Sequence, residues 1–210
     1  MFQQIVSRHP RLARSRVRAG VVALLALVAV GAAGCSGGPT TAPAPSVSAP
    51  TVAPPGPMAQ STPVRVQIPA IGVDSTLMEL GLRADGSMEV PAEGFPAGWY
   101  SGAPTPGERG PAVIAGHVDW RGQPGVFFHL RELDPGDEVT VAREDGSAAV
   151  FRVTRVEQFP KNGFPTGVVY GDLDHAGLRL ITCGGSFDRQ AHSYEDNVVA
   201  FADLVDAAAA

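Results

Sequence analysis

Cysteine is nearly absent from this chain. Among 210 residues only Cys35 and Cys183 carry a thiol. Two thiols so far apart cannot form the dense disulfide framework that staples small exported domains. Lysine is rarer still, Lys161 being the single one, so the positive charge is carried almost entirely by arginine. Acidic residues are missing from residues 1–18, which hold Arg8, Arg11, Arg14, Arg16 and Arg18. Beyond them, 11 basic residues face 21 acidic ones, a balance of −10. Such a domain does not favour nucleic acid by bulk electrostatics. Long apolar runs are also missing. The longest, AGVVALLALVAVGAAG at 19–34, has 16 residues, short of the roughly 20 that a comfortable membrane-spanning helix needs. No internal repeat is present.

What the N-terminus does contain is a basic flank followed by that apolar run, the pattern of an export signal. It closes on Ala32-Ala33-Gly34-Cys35 and then Ser-Gly-Gly. Small residues before a cysteine resemble the lipobox of a bacterial lipoprotein, with Cys35 becoming the lipidated first residue of the mature protein. An uncleaved signal anchor is the other reading of residues 1–35. Either one tethers the chain to the outer face of the cell membrane. Residues 36–61 are dominated by Pro, Ala, Ser, Thr and Gly and carry no charge. Such a composition cannot bury a core and gives a disordered spacer stiffened toward polyproline II. The folded domain is therefore expected over 62–206, long enough for one core.

Within the domain the patterns are mostly strand patterns. VRVQI (64–68) alternates, and STLMELGL (75–82) ends at the turn RADGS. PAVIAGHV (111–118) reads as a buried strand closing on Gly-His. DEVTVARED (137–145) and AAVFRVTRVEQF (148–159) read as a hairpin turning at Asp145-Gly146. GLRLITC (177–183) and NVVAFADLV (197–205) are two further strands, whereas VFFHLREL (126–133) has helical spacing over a short length. This many strands with few helices predict an all-β closed barrel or sandwich.

Cys183 ends one of these strands, and Gly184-Gly185 after it predicts an exit from the sheet. Strand ends and their loops are where a scaffold displays reactive groups. A free thiol in an oxidising compartment is a liability unless it is buried or used. As a nucleophile it needs a base, because an ordinary cysteine has a pKa of about 8.5. Of the five histidines, His9 lies in the signal, His129 in the short amphipathic segment, His175 in the acidic GDLDHAG stretch and His192 after Cys183. His117 alone ends a buried strand, as Cys183 does. It is the candidate to take the thiol proton and return one to a leaving amine. An oxyanion formed by attack on an amide needs a preorganised donor. Arg189, in a following loop able to fold back, is the candidate; Arg179 lies about 13 Å down the Cys183 strand.

These residues resemble the sortases, cysteine transpeptidases of the Gram-positive cell wall. The likeness runs over about 62–205, through VRVQIPAIGVDSTL, the GWYSGAPTPGERGPAVIAGHVDW block and the LRLITCGG strand. TCGG around Cys183 and DNVV at 196–199 are most similar to an actinobacterial subclass, class F-like or class E-like. Leu180, Ile181, Thr182 and Cys183 match the last four positions of the family's Thr-Leu-x-Thr-Cys pattern, with Arg179 in place of the first threonine. The arginine that the best-known sortases carry at the start of the last strand has no counterpart in Glu195-Asp196-Asn197.

The resemblance implies a closed eight-stranded β-barrel whose groove binds an LPXTG-like sorting signal of an exported surface protein. Cys183 would attack the Thr–Gly carbonyl, and His117 would protonate the departing amine. The amino group of a peptidoglycan precursor would then resolve the thioacyl-enzyme. Thr182 would contact substrate or the oxyanion. No cofactor or metal is implied, and GDLDHAG has no recognisable calcium-ligand pattern. Two other readings compete. An L,D-transpeptidase would carry His-Gly immediately before the cysteine, where Ile181-Thr182 stand. A lipid-anchored binding domain would leave Cys183 inert.

Overall fold

The computed structural model describes residues 55–209; the expected signal or anchor over 1–35, Cys35 included, and the spacer up to residue 54 lie outside them. Among the described residues ten strands form: β1 (Pro63–Ile68), β2 (Val73–Leu80), β3 (Ala97–Tyr100), β4 (Gly110–Ala115), β5 (Asp119–Trp120), β6 (Gln123–Pro124), β7 (Glu138–Arg143), β8 (Ser147–Pro160), β9 (Ala176–Asp188) and β10 (Ser193–Ala209). Eight of them close a barrel in the order β1-β2-β3-β4-β9-β10-β8-β7, and β5-β6 make a separate ribbon. The β2–β3 and β4–β9 pairs are parallel and the others antiparallel. The expected eight-stranded closed barrel is what the chain forms.

Strand alternation sorts the side chains into two cores. Even-numbered residues of β9 and β10, with Ala112 and Ile114 of β4, fill the barrel interior; Leu178, Leu180, Val198 and Ala200 lie there with Phe127 and Phe151. Odd-numbered residues face outward: Val113, Ala115, Ile181, Val199 and Phe201. That outer face is covered by residues 161–175, which carry the one-turn helix α1 (Thr166–Tyr170) and pack Phe164 and Val169 onto it. Being covered on both sides explains why β4 reads as continuous apolar sequence rather than alternation. Phe127, Phe151 and Phe201 are essentially sealed from water, each contributing about 2–3 kcal/mol through burial.

Three segments differ from expectation. VFFHLREL does not form a helix: only Leu130–Glu132 makes a 3-10 turn. Its spacing is nevertheless used, since Val126, Phe127, Leu130 and Leu133 all enter the inner core. The strand AGWY over β3 has only four residues, too few to show a period. The C-terminal side of β10 continues past the expected boundary, with Ala209 still paired to Ser147. At the other end, Met58 and Ala59 hold to the barrel despite their spacer-like composition. Met58 N–H donates to Gly107 O at 2.8 Å, and the buried guanidinium of Arg143 donates to Ala59 O. The hairpin turn at Asp145-Gly146 forms where expected, with Gly146 at φ 77°.

Candidate active site

The parallel pairing of β4 and β9 sets the site. Ala115 is level with Ile181, and the Gly116 N–H donates to Ile181 O at 3.0 Å, carrying the ladder one step further. His117 is two residues beyond Ala115, and Cys183 is two residues beyond Ile181. They therefore arrive at the same level on neighbouring strands and, by alternation, on the same outer face. Gly116 is required by this path: a Cβ there would meet Val126 Cγ1 at 2.4 Å and Phe127 Cδ2 at 2.8 Å. The backbone of His117 is then held from below, its carbonyl accepting from the Phe127 N–H at 2.9 Å.

The imidazole of His117 has a defined orientation. Its Nε2 lies 2.8 Å from Pro91 O, and its ring centroid is 5.0 Å from that of Trp120. A carbonyl only accepts, so Nε2 carries the proton and donates it. In the neutral ring Nδ1 is thereby left as the basic nitrogen.

Cys183 is half-buried and packs against the outer core. The strand does not leave the sheet after it. Gly184 and Gly185 continue β9, and residues 183–188 pair with the start of β10, with a register shift between Tyr194 and Asp196. The glycine is needed for this irregularity: Gly185 has φ 75°, and a Cβ there would lie 2.4 Å from Asp196 Oδ2. That carboxylate accepts from Gln158 Nε2 at 2.6 Å. Asn197 is directly opposite Cys183 and is 3% exposed, with its Oδ1 buried and unpaired.

Of two hollows, one reaches Asn197, the residue paired with Cys183, and the other is lined by Cys183 itself. The first, about 440 Å³ and mostly apolar, is lined by Met88, Tyr100, Val113, Phe164 and Tyr170, with Asn197 at its edge. The second, about 170 Å³, is lined by Cys183 with Thr182, Gly184, Gly185, Tyr194 and Arg131. Tyr194 donates its hydroxyl to Asp119 Oδ2 at 2.5 Å, and this bond is the main reason its pKa is pushed up to about 12. Burial raises the Tyr170 hydroxyl as well, so both phenols stay protonated at neutral pH.

The remaining sequence candidates separate. Thr182 is 2% exposed, on the interior-facing side of β9, and its hydroxyl oxygen is buried without a partner. Arg189 is not brought to Cys183. It stands exposed in the turn between β9 and β10, where Asp188 Oδ1 caps the Gln190 and Ala191 N–H groups. Six residues of extended strand put it about 20 Å along from Cys183. The segment cannot fold back because its backbone is already paired. Arg179 shares the Cys183 face as expected, but it is buried over the Phe201 ring, and burial pushes it down to about 10.

The cation that does approach the sulfur is Lys161, whose Nζ is 3.7 Å from Cys183 Sγ and 3.0 Å from Ser193 Oγ. Nothing in the local sequence around Lys161 points to this. Its being the sole lysine was the only signal.

The sortase domain family matches residues 66–205. No curated protein matches the chain. Among solved structures the fold is similar to sortase A of Listeria monocytogenes, with a TM-score of 0.54, 16% identity, and 72% of this chain covering 92% of that one. It is similar to the lid mutant of sortase A from Corynebacterium diphtheriae, with 0.54, 18%, and 71% against 73%. It is also similar to sortase C-1 of Actinomyces oris, with 0.55, 18%, and 68% against 71%. Such identities speak for the fold, and the family match speaks for the lineage. The chain belongs to the sortase family and is a sortase-type cysteine transpeptidase. Enzymes of this family act at the cell envelope on LPXTG-type sorting signals of surface proteins. The L,D-transpeptidase and inert-domain readings fall away.

Proposed function

We propose that this protein cleaves the Thr–Gly bond of an LPXTG-like sorting signal and transfers the surface protein to the amino group of a peptidoglycan precursor. The observation that carries the reading is the level placing of His117 and Cys183 at the ends of adjacent parallel strands, with an apolar hollow of about 440 Å³ that reaches Asn197, the residue opposite Cys183. The hollow suits the apolar residues of the signal, and Cys183, opposite Asn197 at its edge, receives the scissile carbonyl. The Cys183 thiolate adds to the carbonyl carbon, and the carbonyl π pair moves onto oxygen. Collapse of that oxyanion breaks the C–N bond, and the nitrogen takes a proton from His117 Nδ1. The amine departs and the acyl group stays on sulfur as a thioester. The incoming amine attacks the thioester, gives its proton back to His117 and releases the thiolate. Thr182, with an unpaired hydroxyl beside Cys183, has a hydrogen bond to offer substrate or oxyanion. Residues 1–35 serve as the membrane tether, with Cys35 lipidated, and the Pro-rich residues from 36 to the barrel contact at Met58 as the spacer.

The test is incubation of the protein with a small set of LPXTG-type peptides, followed by mass spectrometry. A thioacyl adduct on Cys183 is expected, and Cys183→Ala should form none while melting like the wild type. Peptide cleavage that survives in the alanine variant would sink the reading.

A further inference from the structure

The site needs a positive charge near the sulfur, and the two places that sequence comparison suggests do not supply one. The start of β10 carries Asp196 and Asn197, and Arg189 is at the far end of the hairpin. The supply comes from a third strand. Pro160, the last residue of β8, is paired with Asp196 of β10, and Asp196 is in turn paired with Gly184 of β9. Lys161 follows Pro160, so two strand spacings, roughly 10 Å, separate its backbone from that of the cysteine strand. A lysine stem from one side and a cysteine from the other close that gap. Nζ ends 3.7 Å from Sγ, and Ser193 Oγ accepts from the same ammonium at 3.0 Å. The serine hydroxyl in turn donates to Tyr194 O at 3.2 Å, which orients it.

We infer that Lys161 is the cation of this active site: its ammonium holds Cys183 as a thiolate. The inference rests on the transpeptidase reading for its purpose, and on the Lys161–Cys183 contact for its substance. The thiol proton passes to His117 Nδ1, giving the imidazolium that later protonates the leaving amine.

Other titratable or charged groups around the sulfur differ in sign or place. Tyr194 is neutral and engaged with Asp119, Asp196 is bonded to Gln158, and Arg131 lines the smaller hollow without a hydrogen bond to Sγ. His117 is the proton acceptor. Lysine also suits the position chemically. It is a compact charge on a long flexible stem, able to reach across a strand to a single atom rather than to a planar carboxylate.

The experiment is iodoacetamide alkylation of Cys183 in the full-length protein between pH 5 and 10, read by mass spectrometry. Lys161→Met keeps the stem and removes the charge. It should raise the alkylation midpoint and slow alkylation about tenfold at neutral pH, with the high-pH plateau unchanged. Lys161→Arg should hold the midpoint near that of the wild type. Ser193→Ala, which removes one partner of the ammonium, should give an intermediate rise. If Lys161→Met does not melt cooperatively, Ser193→Ala and Lys161→Arg decide. A midpoint that stays put in all folded variants overturns the inference. Peptide turnover is scored separately. A wild type with a lysine-dependent midpoint that cleaves no sorting peptide leaves Lys161 in place and removes the substrate assignment instead.

Discussion

The hydroxyl of Tyr194, at the start of β10, donates to Asp119 Oδ2 at 2.5 Å across 75 residues of sequence. Asp119 is two residues after His117, and Tyr194 lines the smaller hollow with Cys183. This bond joins the strand pair that carries the nucleophile to the loop that carries its base. Tyr194→Phe removes the donor and keeps the ring. Its stability cost should be about 1 kcal/mol. Turnover should fall further, by about ten- to a hundredfold, because the geometry of the pair is loosened. Kinetics and a thermal melt on the same preparation check this, and unchanged turnover would remove Tyr194 from the positioning of the site.

Gly116 gives a second, purely steric lever. Any Cβ there overlaps Val126 and Phe127 by more than side-chain rotation absorbs. Gly116→Ala should cost about 1–3 kcal/mol and displace His117. Iodoacetamide should still label Cys183 at high pH while peptide cleavage drops sharply. Wild-type turnover in this variant would mean that the β4 path is not what places His117.

Arg189 and Lys161 divide the cation question. Arg189→Ala should leave turnover within about threefold of the wild type, as for an exposed charge far from the reacting atoms. Loss of Lys161 should cost about tenfold or more. Side-by-side steady-state rates on one sorting peptide decide. A hundredfold loss at Arg189, with Lys161→Met near wild type, would return the role to Arg189 and remove it from Lys161.

His175 links the covering segment to β10, with Nδ1 2.9 Å from Asp174 and Nε2 3.1 Å from Asp203. The hydrogen bond to Asp174, helped by Asp203 and opposed by burial, raises its pKa above the usual value of about 6.5. A raised folded pKa contributes stability that is fully present below the unfolded value and lost as pH climbs through the folded one. His175→Gln should therefore melt lower than the wild type near pH 5.5, and the gap should close by about pH 8.5. A gap independent of pH would assign the effect to packing instead.

Strand patterning alone was enough for an all-β fold, the likeness to the sortases for its closure into a barrel, and the strand ends for singling out His117 and Cys183 as candidates. Alternation in VRVQI, the hairpin at Asp145-Gly146 and the apolar runs ending at His117 and Cys183 are local patterns, set by which faces of a strand meet water. The choice of His117 among five histidines rested on the same local feature, a buried strand ending in a polar group. Other aspects depended on contacts between distant parts of the chain. Gly184-Gly185 reads locally as a break, yet the strand runs on, because the backbone of β10 pairs with it. Arg189 is close to Cys183 in sequence and about 20 Å away along an extended strand, since a paired strand cannot curl back on itself. Lys161, 22 residues from Cys183, is the cation at the sulfur. Residue spacing measures distance along the chain, and only the closure of β8, β10 and β9 into neighbouring staves brought that ammonium within reach of the thiol.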